Sequence, residues 1–269
     1  MNTKNNKKVI YYSDELQDDF AITKNITKPK KGQTKTRYNA SSWGPVSWVL
    51  YRAVATPIGW IYSRFFYGVH VKNRSVILRL KGGCFLYGNH TQNVIDAFLP
   101  TIAAFPKRCD VITARDAVSL PVIRHVVPAL GGVPLPDTYE DARSFMRSIG
   151  RRLGRGRAIA IYPEAHIWPY YNKIRPFSEA AFGYPCRFGV PAVPFTVTYQ
   201  KRKILSSLPP VVTVIIGAPV YPDPALPRKE ARKKIRDEVY HQMCDAAQNS
   251  YEHIQYIKRE GDLETRSCE

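Results

Sequence analysis

The sequence predicts an α/β protein: a mostly parallel or mixed central sheet flanked by helices, preceded by an N-terminal aromatic-rich helical segment suited to membrane association. Three observations lead there. Short apolar runs recur from residue 76 onward, helical patterns fall between several of them, and the aromatic residues of the first quarter crowd into residues 41–71. At 269 residues the chain is long enough for a sizeable core. The organisation expected is a polar basic extension over 1–40, an aromatic-rich interfacial segment over 41–71 and a main domain over 72–269.

The extension combines acidic residues, Asp14-Glu15 and Asp18-Asp19, with a basic stretch from Lys24 to Arg37. Such a segment is too polar to bury a core and is expected to be extended or partly disordered. Val9-Ile10-Tyr11-Tyr12 and Phe20-Ala21-Ile22 are the exceptions, apolar enough to dock on a neighbour. The chain opens on polar residues, so no signal peptide is expected.

In residues 41–71, Trp43, Trp48 and Trp60 accompany Tyr51, Tyr62, Phe65, Phe66 and Tyr67, interrupted by Arg52 and Arg64. The uncharged pieces, 38–51 and 53–63, are shorter than the roughly 20 residues that span a bilayer. Thr56-Pro57 reads as an N-cap followed by proline at the first helical position, and Gly44-Pro45 repeats the arrangement earlier. Two short helices with a break between them would lie in the interface plane, tryptophans at headgroup level and arginines reaching lipid phosphates. Packing of these helices on the domain as core is the alternative.

From residue 76 the strand candidates are Val76-Ile77-Leu78, Cys84 to Tyr87, Asp110 to Thr113, Ala158 to Tyr162, Val193 to Thr198 and Val211 to Gly217. Helices are expected over Asp96 to Ala104, Ser119 to Val127 and Tyr139 to Leu153, giving βαβ crossovers, with a long charged helix from Arg228 to about Arg259. Arg143, Arg147 and Arg151 read as a solvated helix face.

Forty Lys and Arg against 22 Asp and Glu give a net charge of +18, which calls for an anionic partner. Nucleic acid, an anionic bilayer and a phosphorylated substrate all satisfy the sign. Five scattered cysteines without a CxxC pair argue for a reduced compartment and against a structural zinc site. No Gly-x-Ser-x-Gly elbow is present, which argues against a covalent serine hydrolase.

The chemistry is concentrated in Asn89-His90 and Asp96, directly after the apolar run Cys84 to Tyr87. Strand ends expose side chains to ligands in open α/β sheets. A histidine there can take a proton from a hydroxyl while a carboxylate holds the ring and stabilises the imidazolium. A second cluster, Tyr162-Pro163-Glu164-Ala165-His166, follows another apolar run and continues through Lys173 and Arg175. A third element is Val190-Pro191-Ala192-Val193-Pro194.

With Gly131-Gly132-Val133-Pro134 between the first two, the order and spacing over roughly residues 75–200 resemble the glycerolipid acyltransferases, the family that includes 1-acyl-glycerol-3-phosphate (lysophosphatidate) acyltransferase. The resemblance implies acyl transfer from a thioester donor, acyl-CoA or acyl-carrier protein, to the free hydroxyl of a lysophospholipid in phospholipid biosynthesis. It implies His90 as general base, Asp96 as the residue that orients it, and no cofactor or metal beyond the acyl donor as co-substrate. Asn89, Glu164, His166, Lys173, Arg175 and Arg115 would bind the acceptor. The protein would work peripherally at the cytoplasmic face of the cell membrane, held to its anionic surface through Trp43, Trp48, Trp60, Arg52 and Arg64.

The sequence departs from the family pattern in three places. Five residues, not four, separate His90 from Asp96. On a regular helix one extra residue turns a side chain by roughly 100°, so either the turn bulges or Gln92 or Asn93 stands in for Asp96. The Gly-rich block ends in Leu135-Pro136-Asp137 where an arginine is usual, which leaves phosphate contact to Arg115, Lys173 and Arg175. Ala165-His166 replaces the usual small residue and arginine. Two rival readings follow. One is a catalytically silent basic membrane-binding module. The other is a nucleic-acid-binding protein, which lacks support because no zinc-finger spacing or RNA-binding aromatic motif is present and the tryptophan-rich segment would go unexplained.

Overall fold

A computed structural model describes residues 7–20, 49–93, 95–114, 127–128 and 130–259. Trp43, Trp48, Gly44-Pro45, Arg115 and most of the helix expected over 119–127 lie outside them.

Strand β1 (Lys8–Tyr12) opens the described chain. A π-helical turn at Leu50–Ala55 runs without a break into α1 (Thr56–Phe66). The two helices expected here are therefore one. Thr56 is itself helical, and its hydroxyl donates back to the Tyr51 carbonyl at 2.7 Å instead of capping the next turn. Strand β2 (His70–Lys72) follows, then the one-turn helix α2 (Ser75–Arg79). The expected strand at Val76-Ile77-Leu78 is this helix. Its β-branched residues are overridden because one helical turn buries Ile77 and leaves Leu78 exposed.

The remaining elements are β3 (Cys84–Gly88), a 3-10 turn at Ile95–Ala97, α3 (Leu99–Ala104), β4 (Cys109–Thr113), β5 (Gly132–Pro134), α4 (Tyr139–Gly154), β6 (Ala158–Ile161), a 3-10 turn at Glu179–Phe182, α5 (Gly183–Phe188), β7 (Ala192–Gln200), β8 (Val211–Ile216), α6 (Arg228–Ala247) and β9 (Ile254–Lys258). The C-terminal helix thus ends at Ala247, not near Arg259, and its last expected turns are β9.

Seven strands form a mixed sheet in the order β2-β8-β7-β3-β6-β4-β5. β7, β3, β6, β4 and β5 are parallel, while β8 runs antiparallel to β7 and parallel to β2. Central β3 is buried along its whole length, as a strand covered on both faces must be. Its alternation divides the core. Cys84 and Leu86 face one layer with Ile95, Leu99 and Ala103, and Phe85 and Tyr87 face the other with Phe145, Ile149, Ile235 and Val239. Helices cover both faces, and β3 ends between β6 and β7.

A separate two-stranded parallel sheet joins β1 to β9, with Lys8 opposite Ile254 and Tyr12 opposite Lys258. Part of the polar N-terminal extension is therefore docked. Asp18 accepts from the backbone N–H groups of Ser13 and Asp14, and Phe20 packs edge-on against Trp168 and Tyr256.

Leu86 is fully buried at the centre of β3. Leu86→Ala should lower stability by about 2–5 kcal/mol. That loss should appear as a lower urea midpoint with an unchanged slope.

Candidate active site

β3 delivers Asn89 and His90 to the end of the sheet. Gly88 is required at the approach, because a Cβ there would lie 2.2 Å from the Phe195 ring on β7. The Asn89 side chain donates to the Val197 carbonyl at 3.0 Å and accepts from the Val197 N–H at 2.7 Å. Its amide copies a peptide group and continues the β3–β7 ladder one step past the end of β3, so Asn89 is buried and committed to the scaffold.

His90 Nδ1 lies 2.7 Å from Asp96 Oδ2. The same oxygen accepts the Gln92 N–H at 2.9 Å. Residues 89–93 are not helical, so the extra residue does not rotate Asp96 away, and of the two outcomes left open by the spacing the turn absorbs the insertion. Gln92 is not a substitute partner, since its side-chain amide donates to the Tyr199 hydroxyl at 2.9 Å. Tyr199 in turn donates to Thr91 Oγ1 at 2.6 Å.

An ionised carboxylate can only accept, so Nδ1 carries the ring proton and Nε2 keeps its lone pair. The His90 side chain is 20% exposed and Asp96 is buried. Burial pushes the Asp96 carboxyl above the usual carboxylate range, opposed by His90 and the backbone N–H groups. Folding therefore disfavours the ionised form. The stability this group contributes is fullest below the ordinary carboxylate pKa and declines as pH rises through the raised value.

Tyr162 was not among the residues singled out for the chemistry, yet its ring stacks on His90 with centroids 4.5 Å apart and planes 18° apart. Its hydroxyl donates to the Asp96 carbonyl at 2.5 Å. The imidazole is thus held at one edge by a carboxylate and on one face by a phenol. The signal available in the sequence was the Tyr162-Pro163-Glu164 block, where an aromatic ring directly precedes the Pro163-Glu164 turn at a strand end.

Glu164 and Arg175 pair with each other. Arg175 Nη2 donates to Glu164 Oε2 at 3.0 Å, and the Arg175 N–H donates to Oε1 at 3.0 Å. Glu164 also accepts the His90 N–H at 3.2 Å. Both side chains are buried, and the Arg175 guanidinium lies 4.9 Å from the Trp168 ring centroid and donates to the carbonyls of Glu15 and His166. Burial pushes Glu164 upward, with Arg175 as the main opposing influence. As placed, neither offers a polar atom at the surface. The reason is that Glu164 sits where the His90 N–H needs an acceptor, and Arg175 neutralises the charge this buries.

His166 is half-buried with Nδ1 3.9 Å from Asp19, and Lys173 is exposed. Among the residues expected at a membrane, Trp60 is exposed, Arg52 donates to the Pro106 carbonyl at 2.7 Å, and Arg64 donates to His70 Nε2 at 3.2 Å. The Gly-rich block enters β5, where Gly131 adopts a φ of +98° and a Cβ would meet Asp110 Oδ1 at 2.8 Å. Among the described residues no group of His, Cys, Asp and Glu is arranged to hold a metal ion.

Residues 68–198 fit the model of the family described as Acyltransferase. That span is an acyltransferase domain. The matched span holds Asn89, His90, Asp96, Gly131 to Pro134, Glu164 and Val190 to Pro194. No curated protein matches this acyltransferase significantly in sequence. Among solved structures, the crystal structure of the 1-acyl-sn-glycerophosphate (LPA) acyltransferase PlsC from Thermotoga maritima is similar, with a TM-score of 0.54 and 19% identity over 73% of this chain and 79% of that one. At that identity the likeness speaks for the fold.

Removing the ring should remove acyl transfer. His90→Ala is expected to lower turnover roughly 10²- to 10⁴-fold with the fold intact by circular dichroism. Tyr162→Phe, which keeps the stacking but loses the bond to the Asp96 carbonyl, should cost turnover roughly tenfold or less. Steady-state kinetics of the two variants checks both.

Proposed function

We propose that this acyltransferase moves a fatty acyl group from acyl-CoA or acyl-carrier protein to the free hydroxyl of a lysophospholipid in phospholipid biosynthesis. The acceptor that fits best is 1-acyl-glycerol-3-phosphate. The observation that carries the reading is the 2.7 Å His90–Asp96 contact, which leaves Nε2 free at a partly open strand end.

Nε2 takes the proton of the acceptor hydroxyl as its oxygen attacks the thioester carbonyl. The new C–O bond forms, and the tetrahedral intermediate collapses with loss of the C–S bond. The imidazolium returns its proton to the leaving thiolate. Asp96 stabilises the cation between the two transfers. The contact also removes the motive for a catalytically silent module, since the altered spacing leaves the pair assembled.

With Glu164 and Arg175 closed on each other, contact with the acceptor phosphate falls to Lys173 and to Arg115, which lies outside the described residues. Glu164 and Arg175 would act by holding the His90 backbone. An anionic substrate also accords with the net charge of +18.

The acceptor is a lipid, and support for a membrane site comes from α1. Ile58, Ile61 and Phe65 are exposed at helical spacing, continued by Val54 in the π-helical turn before it, with Trp60 and Phe66 beside them. The opposite side of the helix is buried at Gly59 and Ser63, and Gly59 is close enough to Phe98 that a Cβ would lie 2.4 Å from its ring. No helix among the described residues is long and apolar enough to cross a membrane. The helix would therefore lie in the interface of the cytoplasmic leaflet, its apolar face inserted and Arg52 and Arg64 at its borders.

Incubation with lysophosphatidate and labelled acyl donor should yield labelled phosphatidate, and its absence with every thioester tried would overturn the acceptor assignment. Lys173→Gln should raise KM for lysophosphatidate and leave KM for the acyl donor unchanged. In vesicle sedimentation, phosphatidylglycerol-rich vesicles should bind the chain more tightly than neutral ones. High salt should weaken that binding, and Trp60→Ser with Phe65→Ser should remove the salt-resistant part.

A further inference from the structure

The connection between β7 and β8 is a hairpin whose tip carries Lys201-Arg202-Lys203-Ile204-Leu205. Ile204 is 79% exposed and Leu205 64%, the first more exposed than any exposed large hydrophobic of α1. Leu205 adopts a φ of +58°, a conformation that favours glycine and that a γ-branched residue enters only when its surroundings dictate it.

Those surroundings are visible. The Leu208 N–H donates to the Leu205 carbonyl at 3.0 Å. Arg202 Nε donates to the Pro209 carbonyl at 2.9 Å, and its Nη2 donates to the Phe66 carbonyl at 2.9 Å. One guanidinium thus closes the base of the hairpin and ties it to the end of α1. The chain holds two large aliphatic side chains out in water on a fixed loop.

Where the tip stands follows from strand register. Gly88 at the end of β3 pairs with Phe195, and β7 continues to Gln200. The hairpin therefore rises from the same end of the sheet as His90. It adjoins the end of α1, where Phe65 and Phe66 are exposed. Lys201 and Lys203 flank the aliphatic pair and are exposed.

We infer that the β7–β8 tip is a second membrane-contact element, inserting Ile204 and Leu205 below the headgroups of an anionic bilayer while Lys201 and Lys203 meet lipid phosphates. The inference rests on the membrane reading of α1 and deepens it. Exposed aliphatics bordered by exposed cations match the layered chemistry of an anionic leaflet, apolar beneath charge. Two contacts at the end of the sheet that carries His90 fix the orientation as well as the attachment, so the histidine faces the acyl chains' headgroup border.

The test uses the full chain on phosphatidylglycerol-rich vesicles. Ile204→Ser with Leu205→Ser should weaken binding roughly five- to tenfold, and Lys201→Gln with Lys203→Gln should weaken it on the order of tenfold at low salt and little at high salt. Tyr139→Ser, at a residue 78% exposed at the start of α4, should leave binding unchanged. Turnover of a vesicle-embedded acceptor should fall with the hairpin variants, and turnover of a water-soluble short-chain acceptor should not. If the hairpin variants bind like the unaltered chain while Trp60→Ser with Phe65→Ser does not, the tip is no membrane contact and the α1 reading stands; it then presents a surface for a protein partner. A loss no greater than that of Tyr139→Ser also overturns the inference. Failure of the unaltered chain to bind anionic vesicles overturns both.

Discussion

One carboxylate oxygen closes the loop that follows β3. Asp96 Oδ2 accepts from the ring of His90 and from the backbone of Gln92, so the position of the imidazole and the path of the chain are set by the same atom. Burial of that charge is unfavourable, and the surrounding donors offset only part of it. The core then has to supply the rigidity. Ile95 and Leu99, on either side of Asp96, are fully buried against the face of β3 that carries Leu86, so the acid is anchored by apolar packing and oriented by polar contacts.

A second buried carboxylate works from the other side. Glu164 holds the His90 N–H, and Arg175 makes that burial tolerable while stacking on Trp168. Trp168 then returns to the site through its backbone N–H, which donates to the His90 carbonyl at 3.1 Å, and the Tyr170 backbone N–H donates to the Thr91 carbonyl at 2.9 Å. The backbone of His90 and Thr91 is therefore clamped by the loop that carries the glutamate. Precision of this kind depends on residues that touch no substrate.

What the sequence disclosed follows the range of the interactions involved. β3, β6, β7 and β8 were legible because consecutive apolar residues must be buried whatever their neighbours, whereas the pairing of His90 with Asp96 was legible only as one of two outcomes, since the five-residue spacing left Gln92 or Asn93 as the other partner. The Val76-Ile77-Leu78 turn was not, because five residues carry too little pattern to outweigh tertiary packing on Ile77. The mutual pairing of Glu164 and Arg175 was hidden for another reason. Both are common acceptor ligands, and only the fold shows that they meet inside the protein. Strands β1 and β9 were out of reach because each is a short amphipathic run whose partner lies at the far end of the sequence.

That last pairing has a consequence in time. Tyr12, at the end of β1, packs tilted against Trp168 at 4.7 Å between ring centroids, and Tyr256 of β9 stacks on the same indole at 4.9 Å. The brace behind His90 thus needs a strand from the beginning of the chain and one from its last stretch, joined in register. Contacts so distant in sequence form late, since the intervening chain must first be ordered. During synthesis the first strand must wait for the last, so a nascent chain can have its central sheet assembled while the loop over the histidine is still loose. The order of emergence from the ribosome therefore keeps the loop over His90 incomplete until β9 has been made.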